Sequence, residues 1–107
     1  MPIYKKLVRD RIPDIIKKTG KSFNTIILEE TDFVEALKKK CFEELDEYTA
    51  ASTNEEAIEE LADLLELMHA LAKVHGASIE KVEEVRQQKA EKRGGFQERI
   101  FLLDVED

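Results

Sequence analysis

The chain contains no tryptophan and, in 107 residues, a single cysteine, two prolines and four glycines. Each scarcity excludes something. With Cys41 alone no intramolecular disulfide can form, so a reducing compartment is the expected home, and nothing else in the sequence points to thiol chemistry. No stretch approaches the ~18 apolar residues of a membrane span, and the opening MPIYKKLVRDRIP lacks the apolar core of a secretory signal. These features predict a cytoplasmic protein that does not engage a membrane. Net charge is -7, so long-range attraction to a nucleic acid polymer is not expected. The glycines fall only at Gly20, Gly76 and Gly94-Gly95, each just past a stretch that reads as helical. A chain of this length is expected to be one domain, 1–107, and is long enough to bury roughly two thirds of the surface its unfolded form exposes.

One further absence is local. Between Glu43 and Glu66 there is no lysine or arginine, while ten carboxylates occur there. Four of them form two spaced pairs, Glu44-x-x-Glu47 and Glu60-x-x-Asp63. Residues three apart share a helix face, so each pair can aim its oxygens the same way. Two such helices side by side would converge four hard anionic ligands, a donor set suited to Mg²⁺ or Mn²⁺. Without a cation the same cluster stores like-charge repulsion. Basic residues bracket it. Residues 1–21 hold seven Lys or Arg against two acids, and residues 86–99 hold five against two. That distribution suits a small polyphosphate held between a metal and cationic side chains. His69 and His75 are six apart, the wrong spacing for a helical zinc pair, and are read as structural or exposed.

The segments follow from periodicity and caps. Ile12, Ile15 and Ile16 mark a short helix over 10–18, with Pro13 in its first turn. Residues 22–28 read as extended, and 99–105 as a candidate last strand with which they could pair. Phe96 could stack on a base, but packing of the C-terminal tail is the expectation. Asp32 with Glu35 predicts the start of a helix running to about Ala51, with Val34, Leu37, Cys41, Leu45 and Tyr48 as its apolar stripe. Thr53 with Glu56 opens a second long helix to about His75, and Ser78 a third ending near Arg93. On the second of these, Ala57, Ile58, Leu61, Leu64, Leu65, Met68, Leu71 and Ala72 form one broad face, while Leu67 and Val74 lie off it beside Glu56, Glu60 and Asp63. A helix apolar on two sides in so small a chain predicts packing against another copy, as a homodimer or homotetramer.

Phe42-Glu-Glu-Leu-Asp-Glu47 followed by Ala57-Ile-Glu-Glu-Leu-Ala-Asp-Leu-Leu65 resembles the E-E-x-x-E then E-x-x-D signature of MazG-type nucleotide pyrophosphohydrolases. The opening Lys6-Leu-Val-Arg-Asp-Arg-Ile-Pro13 and the closing Lys92-Arg-Gly-Gly-Phe96 are similar to a small phosphoribosyl-ATP pyrophosphohydrolase-like branch of that superfamily. The resemblance implies an all-α fold built on a metal-binding helical hairpin, and together with the two-sided apolar helix this predicts a helical bundle completed by oligomerisation. It implies Mg²⁺-dependent cleavage of a nucleoside triphosphate to the monophosphate and pyrophosphate. Glu44, Glu47, Glu60 and Asp63 match the metal positions, and Glu43 the leading acid of the double-Glu motif; these five are the candidate catalytic residues. Lys6, Arg9, Lys89, Lys92 and Arg93 are the candidate phosphate-binding cations, since both side chains form charge-assisted bonds to phosphate. The competing readings are hydrolysis of phosphoribosyl-ATP itself and a non-catalytic acidic helical scaffold.

Overall fold

The computed structural model describes residues 5–107. Four helices follow one another: α1 (Ile12–Lys18), α2 (Glu30–Ala50), α3 (Asn54–Val74) and α4 (Ile79–Arg93), with no strand among the described residues. Pro13 falls at the start of α1, where its missing N–H leaves no hydrogen bond unmade. Lys17 and Lys18 lie in its last turn, favourable for the helix dipole, and Gly20 follows at φ +81°. The start of α3 is the best defined terminus. Thr53 stands in an extended conformation, and its Oγ1 accepts the Glu56 N–H at 3.1 Å. Glu56 reaches back past it, accepting from the Ser52 N–H and hydroxyl at 3.1 and 3.2 Å.

α2 and α3 pack along much of their length as an antiparallel hairpin, and α4 touches α3 more sparingly. Among the described residues, Leu37, Leu67 and Ala72 are the buried apolar ones. The face of α3 turned to α2 is thus the one carrying Leu67 and Glu60. The broader apolar face predicted from periodicity is left largely open, with Ile58 65% exposed and Leu61, Leu65 and Met68 close to half exposed. On α2 the stripe divides in the same way: Leu37 is sealed, while Leu45 and Tyr48 near the hairpin end are exposed.

Three expectations are corrected. Residues 22–28 and 99–105 form no strands; both are irregular, and Ile26, Ile27, Phe101 and Leu103 are all highly exposed. β-Branched and aromatic residues favour a strand only where an edge offers hydrogen bonds and a face offers cover, and neither segment finds either. Phe96 does not pack the tail, being 98% exposed. Finally, α2 begins at Glu30 after an extended Glu29, so Asp32 lies within its first turn and supports the helix through the dipole, not as a cap.

Candidate metal centre

The hairpin turn sets the height of each acid. α2 ends at Ala50 and α3 begins at Asn54. Glu44 lies six residues before the first and Glu60 six after the second, about 9 Å along the axis in each case. These two carboxylates therefore face each other at one level. Glu47 is a turn nearer the connection and Asp63 a turn further from it. Glu44, Glu47 and Glu60 each place a carboxylate oxygen within 4.8 Å of the others. Asp63 falls outside that trio, because it and Glu47 lie on opposite sides of the Glu44–Glu60 level. Its Oδ1 instead accepts from Arg9 Nη2 at 2.6 Å.

Burial makes the trio costly as it stands. Glu44 is the buried charged residue of the hairpin, and its Oε2 and the Oε2 of Glu60 are both shielded from solvent with no hydrogen-bond partner. Two ionised carboxylates can only accept, so neither can satisfy the other. One proton changes that, by supplying a donor. The hydrogen bond with Glu44, followed by desolvation and the charge of Glu47, pushes the Glu60 carboxyl up to about 7. Desolvation likewise raises Glu44, assisted by the charges of Glu47 and Asp63 and opposed by the hydrogen bond with Glu60. Lys40 gives partial compensation, its Nζ lying 3.9 Å from Glu44 Oε1 and 4.0 Å from Glu43 Oε2. An all-oxygen, partly sealed set of acids with orphaned acceptors fits a hard divalent cation, which would satisfy both oxygens and remove the repulsion.

The other sequence candidates take distinct places. Glu43 is exposed and pairs with Lys40, outside the trio. Lys6 lines a cleft of about 50 Å³ between the N-terminal segment and α2, together with Lys5, Leu7, Ala36, Lys39, Lys40 and Glu43. Lys89, Lys92 and Arg93 line a second cleft of about 250 Å³ along α4, with Val85 and Gln88. Sequence reasoning passed over Lys39 and Lys40. Their signal was present: Lys38-Lys39-Lys40 immediately precedes the acidic segment, four residues ahead of Glu43 and Glu44. Cys41 is half-buried and burial pushes its thiol up, in keeping with a packing role. Among the described residues no helix is long and apolar enough to cross a membrane.

Residues 9–90 match the family described as phosphoribosyl-ATP pyrophosphohydrolase. The match spans α1, α2, α3 and most of α4, and so includes all three clustered glutamates, Asp63 and Arg9. No curated protein and no solved structure matches the chain.

Proposed function

Since the chain belongs to the phosphoribosyl-ATP pyrophosphohydrolase family, and is a hydrolase acting on phosphoric anhydride bonds, we propose that it cleaves a nucleoside triphosphate to the monophosphate and pyrophosphate with Mg²⁺ as its cofactor. The observation that carries this reading is the convergence of Glu44, Glu47 and Glu60 within 4.8 Å, with two of their oxygens buried and unpartnered. A divalent cation held there would neutralise the acids toward an anionic substrate and polarise phosphate oxygens and a water. Glu44, Glu47 and Glu60 provide ligand oxygens, and Asp63 the fourth position named by the motif. Arg9, tied to Asp63, brings a guanidinium to the edge of the cluster, where it can form a bidentate bond to phosphate. Lys6 adds charge beside α2, and Lys89, Lys92 and Arg93 offer a further cationic wall along α4. Mn²⁺, with the same preference for oxygen, is expected to substitute.

A second reading keeps the site and changes the substrate to phosphoribosyl-ATP, favoured by the description of the family itself. Both break the same type of bond, so the fold does not distinguish them. A non-catalytic scaffold is set aside by the family membership. The protein is further proposed to be one domain over 1–107 that works as a homodimer or homotetramer, and to reside in the cytoplasm, where nucleotides are available and Cys41 stays reduced.

The test is pyrophosphate release from a panel of nucleoside triphosphates and phosphoribosyl-ATP, with and without Mg²⁺, for the native chain and Glu60→Ala. Mg²⁺-dependent release, at least about a hundredfold lower in the variant, is expected, since losing a ligand should outweigh losing the outer support of one. Release that ignores both Mg²⁺ and Glu60, or no release from any member, overturns the reading.

A further inference from the structure

We propose that the cleft between the N-terminal segment and α2, walled by Lys5, Lys6, Lys39 and Lys40, is a phosphate subsite that receives the pyrophosphate end of the substrate. This rests on the hydrolase reading above and names a part of the site that reading leaves open.

The placement follows from α2. Ala36, Lys39, Lys40 and Glu43 stand at i, i+3, i+4 and i+7, one stripe of the helix. Ala36 has no bulk beyond Cβ, so the N-terminal segment can approach the stripe and bring Lys5 and Lys6 against it. In a chain of net charge -7, four lysines and one glutamate thus line a single small cleft. Lys40 is tied to Glu43 and Glu44. Lys5 and Lys39 have no carboxylate within 4.0 Å among the described residues. Like charges gathered in this way repel, and a compact multivalent anion relieves the repulsion.

Position and lining point to a phosphoryl group as that anion. Lys40 forms the wall common to the cleft and the carboxylate trio, its Nζ 3.9 Å from Glu44 Oε1. A phosphate chain spanning the trio at one end would meet the lysines at the other. The lining is cationic, and no aromatic ring lines the cleft on which a base could stack. Lysine is suited to the task, since a flexible ammonium can follow tetrahedral oxygens as the leaving group departs. Glu43 then acts as a positioning residue, steadying Lys40 between cleft and cluster.

Calorimetric titration of inorganic pyrophosphate into the metal-free protein tests the subsite. The comparison is between the native chain, Lys5→Ala/Lys39→Ala, Lys39→Glu, and Lys17→Ala/Lys18→Ala on α1, which removes equal charge elsewhere. About tenfold or greater weakening is expected in the first variant, where two charge-assisted bonds are lost, and in the second, where one is lost and a repelling carboxylate takes its place, with little change in the α1 control. Mn²⁺ affinity, followed by electron paramagnetic resonance, should stay within about twofold of native in the alanine pair, because no ligand is touched. No pyrophosphate binding by the native chain, or equal weakening in the cleft and control variants, overturns the subsite. If that happens while Mg²⁺-dependent turnover persists, the hydrolase reading survives without it. Lysine-dependent pyrophosphate binding in a chain that turns over no nucleotide would instead support the cleft and overturn the hydrolase reading.

Discussion

Glu60 concentrates the electrostatic problem of the hairpin. Its carboxyl titrates at about 7 in the folded protein, against 4.5 when unperturbed. Between those two values the folded chain retains a proton that the unfolded chain releases. Folding stability therefore declines as pH rises through that window, and the upward shift of Glu44 acts in the same sense. Glu80 and Glu83 are lowered, the first by backbone and Ser78 hydrogen bonds and the second by Arg86. Their stabilisation is complete above the ordinary carboxylate range and lost only as pH falls below it, so they do not obscure the effect. The melting temperature of the metal-free protein should fall by several degrees from pH 5 to pH 8. Glu60→Gln should flatten that slope by removing the titrating group while leaving a donor for Glu44. Excess Mg²⁺ should restore the loss at pH 8, since a ligand bound only by the native state stabilises it. A pH-independent melting temperature in the metal-free native chain would rule out the coupling. Residue identities at this site were largely legible: Glu44, Glu47 and Glu60 stand out by spacing alone. The Arg9 contact of Asp63 was not, because a pair 54 residues apart leaves no periodic trace.

At the scale of elements, what could be read depended on whether the determining interactions were local. Thr53 and Glu56 belong to one turn, and the α3 start follows from them. Thr53→Ala removes the acceptor for the Glu56 N–H and should cost about 1 kcal/mol. That corresponds to a fall of about 4–8 °C in melting temperature for a chain of this size, measurable by circular dichroism at fixed protein concentration; Thr53→Ser should restore most of it. No change in the alanine variant would show that Glu56 and Ser52 alone hold this terminus. The α2 cap was displaced by three residues, from Asp32 to Glu29, because Glu30 and Thr31 continue the helix backward from Asp32, and acids are as favourable in a first turn as at a cap. The strands expected at 22–28 and 99–105 failed for a different reason. Strand propensity describes fit to a sheet, and pairing requires a partner edge that composition cannot specify. Likewise, periodicity showed that α3 is apolar on two sides but not which side meets α2. The hairpin selects the narrower one, which brings Glu60 to Glu44.

That selection has its consequence for the whole molecule. The chain exposes 10,290 Å², whereas a compact monomer of 12.3 kDa would expose about 6,100 Å². Its radius of gyration is 18.4 Å, against about 13 Å for a globular chain of this length. Part of the excess belongs to the irregular tail, but Ile58, Leu61, Leu65 and Met68 form a continuous stripe on α3, with Leu45 and Tyr48 exposed on α2. An obligate interface buries about 2,000–5,000 Å² in total, and the surplus is ample for one. A second copy offering the same stripe would complete a four-helix bundle about a two-fold axis, the simplest closed solution. Sedimentation equilibrium should accordingly give twice or four times 12.3 kDa, and the melting temperature should rise with protein concentration, as folding and association would be one process. Leu65→Glu/Met68→Glu places two charges on the stripe without touching the carboxylate trio. Each charge would have to be desolvated on assembly, so the variant should lose the oligomer and most of its cooperative melting together. A native chain sedimenting at 12.3 kDa, with a sharp melt independent of concentration, would mean that the packing within one hairpin suffices. In that case the exposed face of α3 would need another explanation. If the oligomer forms, the hairpin carrying Glu44, Glu47 and Glu60 is clamped from its far side by the partner. The same contact that buries the apolar stripe then sets the spacing between the helices on which the metal site depends.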